Sequence, residues 1–172
     1  EYDGGEWSCR HDPVFTVGLG VVREVADKFG SGAFEPAPPD SFDWPRLFRL
    51  QMAYLLLWSA IERYASLCYG PQLDPMAKLR WLGGDPAFMS ALKQEVTRTE
   101  RVYDSRDTDD HADLNPQCGI SSAKYYYFVR NNLSHRGKGA WKDGEIIRQS
   151  LNELCSIFRL VLKERLSLDI PE

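Results

Sequence analysis

The sequence predicts an all-α chain, and three observations carry that prediction. Apolar residues recur in alternating steps of three and four in several segments. Helix-opening signals, above all Asp-Pro pairs, precede these segments and glycines follow several of them. Nowhere does an apolar–polar alternation of period two run long enough to announce a sheet. The expected architecture is an antiparallel bundle of four to five helices. A length of 172 residues with 43% hydrophobic content suits one compact domain, or one domain carrying an extra arm.

Residues 1–12 are polar and read as an arm. From Pro13 to Phe29 the residues Phe15, Leu19, Val22, Ala26 and Phe29 make an amphipathic helix, weakened at its start by Gly18 and Gly20. The stretch 30–40 (GSGAFEPAPPD) is a proline-rich connector, so residues 1–40 are set apart from a helical domain over 41–172. Asp43 caps a long helix with Pro45 in its first turn. Its seam is Leu47, Leu50, Tyr54, Leu57, Ile61, Tyr64 and Cys68. A second apolar face of Phe48, Met52, Leu55 and Trp58 predicts that this helix is central, or central and shared with a second chain. It stops at Gly70-Pro71. Asp74-Pro75 and Asp85-Pro86 open two shorter helices. Residues 101–118 read as a long loop. Ser121 or Ser122 begins SAKYYYFVRNNLSH, ended by glycines, with most of Tyr125 to Phe128 assigned to core. The last helix runs from near Asp143 to about Leu166 on the stripe Ile147, Leu151, Leu154, Phe158 and Val161.

A net charge of −4 with a pI near 5.5 excludes a protein that coats nucleic acid through overall charge. No segment reaches the roughly 18 apolar residues that span a bilayer, so no membrane partner is expected. Four scattered cysteines without a C-x-x-C pair argue against a disulfide framework and for a reducing cytoplasm. Cys68 and Cys155 read as small buried hydrophobes. Cys9 and His11 are too few ligands for zinc.

Charge is distributed unevenly. Residues 104–113 hold five aspartates, while residues 130–142 hold Arg130, Arg136, Lys138 and Lys142 with no acid. Each segment carries an arginine five positions before a histidine: Arg106 and His111, and Arg130 and His135. With 14 arginines and three histidines this spacing arises by chance in about a quarter of such chains, so context must choose. The aspartates around His111 repel a phosphate backbone. Those aspartates could hold a divalent cation, but they lack the D-x-D-x-D-G spacing of a calcium loop, and a solvated loop is the simpler reading. Arg130 and His135 instead end an aromatic helix inside a basic segment.

The run Arg130-Asn131-Asn132-Leu133-Ser134-His135, with YYYFVRNNLSHRGKG around it and LLLWSAIERYA upstream, resembles the catalytic motif of HEPN domains, closest to the Apea-like subgroup. The resemblance covers about residues 43–166. It implies an all-α homodimeric ribonuclease whose composite site brings two Arg–His pairs around one phosphate. It also implies cleavage of single-stranded RNA by the RNA's own 2′-hydroxyl, without metal or cofactor, leaving a 2′,3′-cyclic phosphate and a 5′-hydroxyl. Histidine titrates near neutrality and can move the proton. Arginine offers a fixed charge and a fork of donors to the pentavalent phosphoryl group.

On this resemblance Arg130 and His135 are catalytic, assisted by Asn131, while Arg136, Lys138 and Lys142 guide the RNA. Family analogy adds a toxin or antiphage setting held in check by a regulatory domain or antitoxin partner. Glu62, one turn from Trp58 and in phase with Leu55, is a candidate to position Arg130; the plainer reading is a solvated or locally paired glutamate. The rival for the whole chain is a non-catalytic helical dimerisation or RNA-binding module. For Arg130 and His135 themselves the plain alternative is complementing the carbonyls of a helix C-terminus.

Overall fold

A computed structural model describes residues 12–35, 37–107, 109–135 and 143–167, with backbone alone for Ser134 and His135. The all-α class holds. Six α-helices are present among the described residues: α1 (Leu19–Phe29), α2 (Trp44–Tyr69), α3 (Pro75–Gly84), α4 (Pro86–Glu95), α5 (Gly119–His135) and α6 (Gly144–Leu166). A π-helical turn, Val14–Gly18, leads into α1.

The aspartates act as the sequence demands. The side chains of Asp43, Asp74 and Asp85 accept from Arg46, Ala77 and Ala87 N–H, each with a proline in the first turn that follows. Such a cap contributes about 1 kcal/mol. Asp85 is also buried, and its carboxylate accepts from the Tyr69 hydroxyl at 2.8 Å and the Arg165 guanidinium at 2.8 Å. Burial pushes its pKa up, but Arg165, Tyr69 and the Ala87 N–H together outweigh it and hold the carboxyl below its ordinary value.

One core joins all six helices. Phe15, Leu19 and Val22 of the N-terminal section share it with Leu47, Leu50, Tyr54, Leu57, Ile61 and Tyr64 of α2 and with Leu151, Leu154, Phe158 and Val161 of α6. Complete burial of side chains this large stabilises by about 1.5–3 kcal/mol each. The connector is tied down rather than trailing. Arg46 donates to the carbonyls of Phe29 and Ser31, both at 2.9 Å, and Arg148 donates to that of Gly30 at 2.8 Å.

Two expectations are corrected. The loop over 101–118 contains an antiparallel hairpin, β1 (Glu100–Tyr103) and β2 (His111–Leu114), with Val102 opposite Ala112. Its strands are four residues long, too short for a period-two signal. They are held by partners distant in sequence: Asn132 of α5 donates to the Tyr103 carbonyl and accepts from Ser105 N–H, both at 2.9 Å. Cys68 is exposed rather than buried, because the face of the last turn of α2 that carries it and Leu67 is left uncovered. On the second apolar face of α2, Trp58 is buried, whereas Phe48, Met52 and Leu55 are 52%, 71% and 36% exposed in the single chain.

Two contacts set the helices that matter for the site. At Gly83 and Gly119 the backbones of α3 and α5 touch; a Cβ on Gly83 would lie 2.5 Å from Ile120 Cα, so only glycine permits the approach. Along α5, Tyr125 and Tyr126 are fully buried and Phe128 nearly so, while Tyr127 is half-buried. The Tyr54 hydroxyl of α2 donates to the Tyr126 carbonyl at 2.9 Å, and the Tyr126 hydroxyl to Glu153 of α6 at 3.1 Å. Glu153 in turn accepts from Arg98 at 2.6 Å. The middle of α5 is therefore bonded to both long helices, and its last turns are carried on a fixed base.

Candidate functional site

Tyr127 and Arg130 lie three apart on α5, and Trp58 and Glu62 four apart on α2, so each pair shares one helix face. The two faces meet. The Trp58 and Tyr127 rings pack edge to face with centroids 5.7 Å apart. One turn further along, Arg130 Nη2 lies 3.7 Å from Glu62 Oε1. The guanidinium also sits 5.9 Å from the Tyr127 ring centroid and donates from Nη1 to Asn131 Oδ1 at 3.2 Å. Asn131 is 2% exposed, whereas the Arg130 and Glu62 side chains are 32% and 49% exposed. A buried amide thus accepts from the guanidinium while a carboxylate from another helix lies beside it. A guanidinium so placed is about one-third exposed and can meet an anionic phosphoryl group with its fork of donors.

The α5 backbone runs unbroken to His135, which is its last residue. Asn131 and His135 are therefore one turn apart on a regular helix. The His135 side chain and residues Arg136, Lys138 and Lys142 lie outside the described residues.

The competing Arg–His pair sits on the hairpin. Arg106, in the turn between the strands, donates back to Asp104, with Nη2 3.5 Å from Oδ2. His111 opens β2 and lies exposed with its ring 5.9 Å from that of Tyr103. Lys124 of α5 pairs with Asp110 at 2.7 Å, and Arg101 with Asp113 at 2.6 Å. Aspartates of this segment are thus engaged with cations, and among the described residues no group of three His, Cys, Asp or Glu side chains is placed to hold a metal ion. Cys9 and His11 lie outside the described residues.

No family model, curated protein or solved structure gives a significant match to the chain.

Among the described residues no helix is long and apolar enough to cross a membrane. Sequence reasoning missed two residues near the site. Asn132, 8% exposed, bonds the hairpin to α5 rather than facing solvent with the motif. Lys78 of α3 donates to Ser66 of α2 at 2.9 Å and lines a groove of about 400 Å³ that runs from there to Tyr127. The only available hint was helical phase: Ser59, Glu62 and Ser66 recur every three or four residues and so share the face that carries the Arg130 partner.

Proposed function

We propose that the chain is a metal-independent endoribonuclease of the HEPN type acting on single-stranded RNA as a homodimer, in a cytoplasmic toxin or antiphage setting under a regulatory partner. The observation that supports it best is the Arg130 guanidinium. It is held by Glu62 and Asn131, faces solvent, and lies five residues before His135 on one unbroken helix. In the reaction the RNA 2′-oxygen loses its proton as it bonds to phosphorus. The bond from phosphorus to the 5′-oxygen breaks as that oxygen takes up a proton. His135 handles the proton and Arg130 stabilises the charge that gathers on the phosphoryl oxygens. Asn131 braces Arg130, and Arg136, Lys138 and Lys142 supply sequence-independent attraction for the backbone.

The test is incubation of long single-stranded RNA with the chain in EDTA. The expected result is cleavage to fragments with 2′,3′-cyclic phosphate ends and no cleavage of single-stranded DNA, which lacks the nucleophile. Cleavage that disappears in EDTA would point to a metal enzyme instead. The second reading, a non-catalytic association module, is favoured by the outward apolar stripe of Phe48, Met52 and Leu55 on α2. It predicts an intact oligomer and no cleavage even with candidate activators.

A further inference from the structure

We infer that the groove between α2 and α3 seats one nucleotide of the RNA next to the phosphate at Arg130, with Lys78 binding the neighbouring backbone phosphate. The inference rests on the ribonuclease reading and extends it to a residue outside the motif. The groove holds about 400 Å³, within the range of small-ligand sites and enough for a single nucleotide. One wall is α2, with Glu62 and Ser66 one turn apart; the other is α3 with Lys78; Tyr127 and Trp58 close one end.

Lys78 is the informative residue. Its half-buried ammonium bonds to a neutral hydroxyl, Ser66 Oγ, and makes no ion pair among the described residues. Ser66 donates its own proton to the Glu62 carbonyl at 2.8 Å, which leaves its lone pairs to the ammonium. The cation is therefore held across the groove, between its two walls, without a counter-ion among the described residues, and partial burial without a counter-ion is costly. Glu62 is the one carboxylate among the residues lining the groove, and it stands at the far end, beside Arg130. The second lining cation, Arg63, is paired with Asp12 at 2.8 Å. The anchors of the two outward cations, Glu62 for Arg130 and Ser66 for Lys78, stand four residues, about 6 Å, apart along α2. That is a spacing suited to successive phosphates of an extended strand, and the half-buried Tyr127 ring, beyond Arg130, offers apolar surface to the adjoining base.

The experiment measures binding of a 2′-O-methylated oligouridylate, which cannot be cleaved, to the full chain by fluorescence anisotropy at several salt concentrations. For Lys78→Gln we expect about tenfold weaker binding at moderate salt. The slope of log K against log salt should be shallower by about 0.7, the loss of one single-strand phosphate contact. Lys78→Arg should keep the wild-type slope, and Lys93→Gln on α4, a lysine away from the groove, should change neither quantity. Thermal melts of the variants check folding. An unchanged slope in Lys78→Gln overturns the inference, as does failure of the wild type to bind the probe. Equal sensitivity of binding by 5′-UMP alone would also overturn it, making the groove a free-nucleotide site. Absence of cleavage by the wild type, with the Lys78 effect intact, would remove the ribonuclease reading and leave the groove as an RNA-binding subsite.

Discussion

The tip of the hairpin and the end of α5 carry the same spacing, an arginine five residues before a histidine, and use it in opposite ways. In the hairpin turn Arg106 bonds back to Asp104 two residues away, so its charge is neutralised within the segment that supplies it. On α5 the partner of Arg130 is Glu62, which comes from another helix and meets it at a groove. The difference is one of construction. A turn brings near neighbours together, whereas a helix turns successive side chains outward and lets a second helix decide what they meet. Spacing in the sequence is therefore informative only with the element that carries it.

Mutations can break or sharpen this contrast. The largest expected effect is at Arg130. Arg130→Ala should lower cleavage by about 10²- to 10³-fold, as when one preorganised donor is removed from a developing oxyanion, while Arg106→Ala should stay near wild type. Next is the tie between the two regions. Asn132→Ala deletes both bonds that hold the hairpin to α5 and should cost about 2 kcal/mol in urea unfolding. Cleavage per folded molecule should fall far less than for Arg130→Ala.

Glu62→Gln should reduce cleavage about fivefold and change stability by less than about 0.5 kcal/mol, because the ion pair is largely solvated. A stability loss without a rate effect would make Glu62 a surface partner only. The smallest effect is the acid titration of Asp113, whose carboxyl Arg101 holds below the ordinary value. A carboxyl with a depressed folded pKa contributes while ionised, so this pair is complete above the usual aspartate range and is lost as pH falls through the depressed value. Carboxyl NMR should show Asp113 returning toward ordinary titration in Arg101→Gln, with cleavage at neutral pH unaffected.

Much of this was legible in the residues. Asp43, Asp74 and Asp85 announce their helices because caps are local, and the phase of Glu62 with Trp58 foretells which face it takes. The hairpin was not legible: ERVY and HADL form strands because Asn132 and the neighbouring α5 helix hold them. Exposure along α2 was also hidden, since a periodic apolar stripe says that a face can be covered and not what covers it. Lys78 was invisible for the same reason, its position being set by Ser66 across an interhelical groove.

The measurement that bears most directly on the contrast is cleavage of a long single-stranded RNA in EDTA by His135→Ala and by His111→Ala, side by side with the wild type. Loss of activity in His135→Ala with His111→Ala unaffected is the expected result. Loss in His111→Ala with His135→Ala intact would move the chemistry to the hairpin and contradict the assignment of Arg130 and His135.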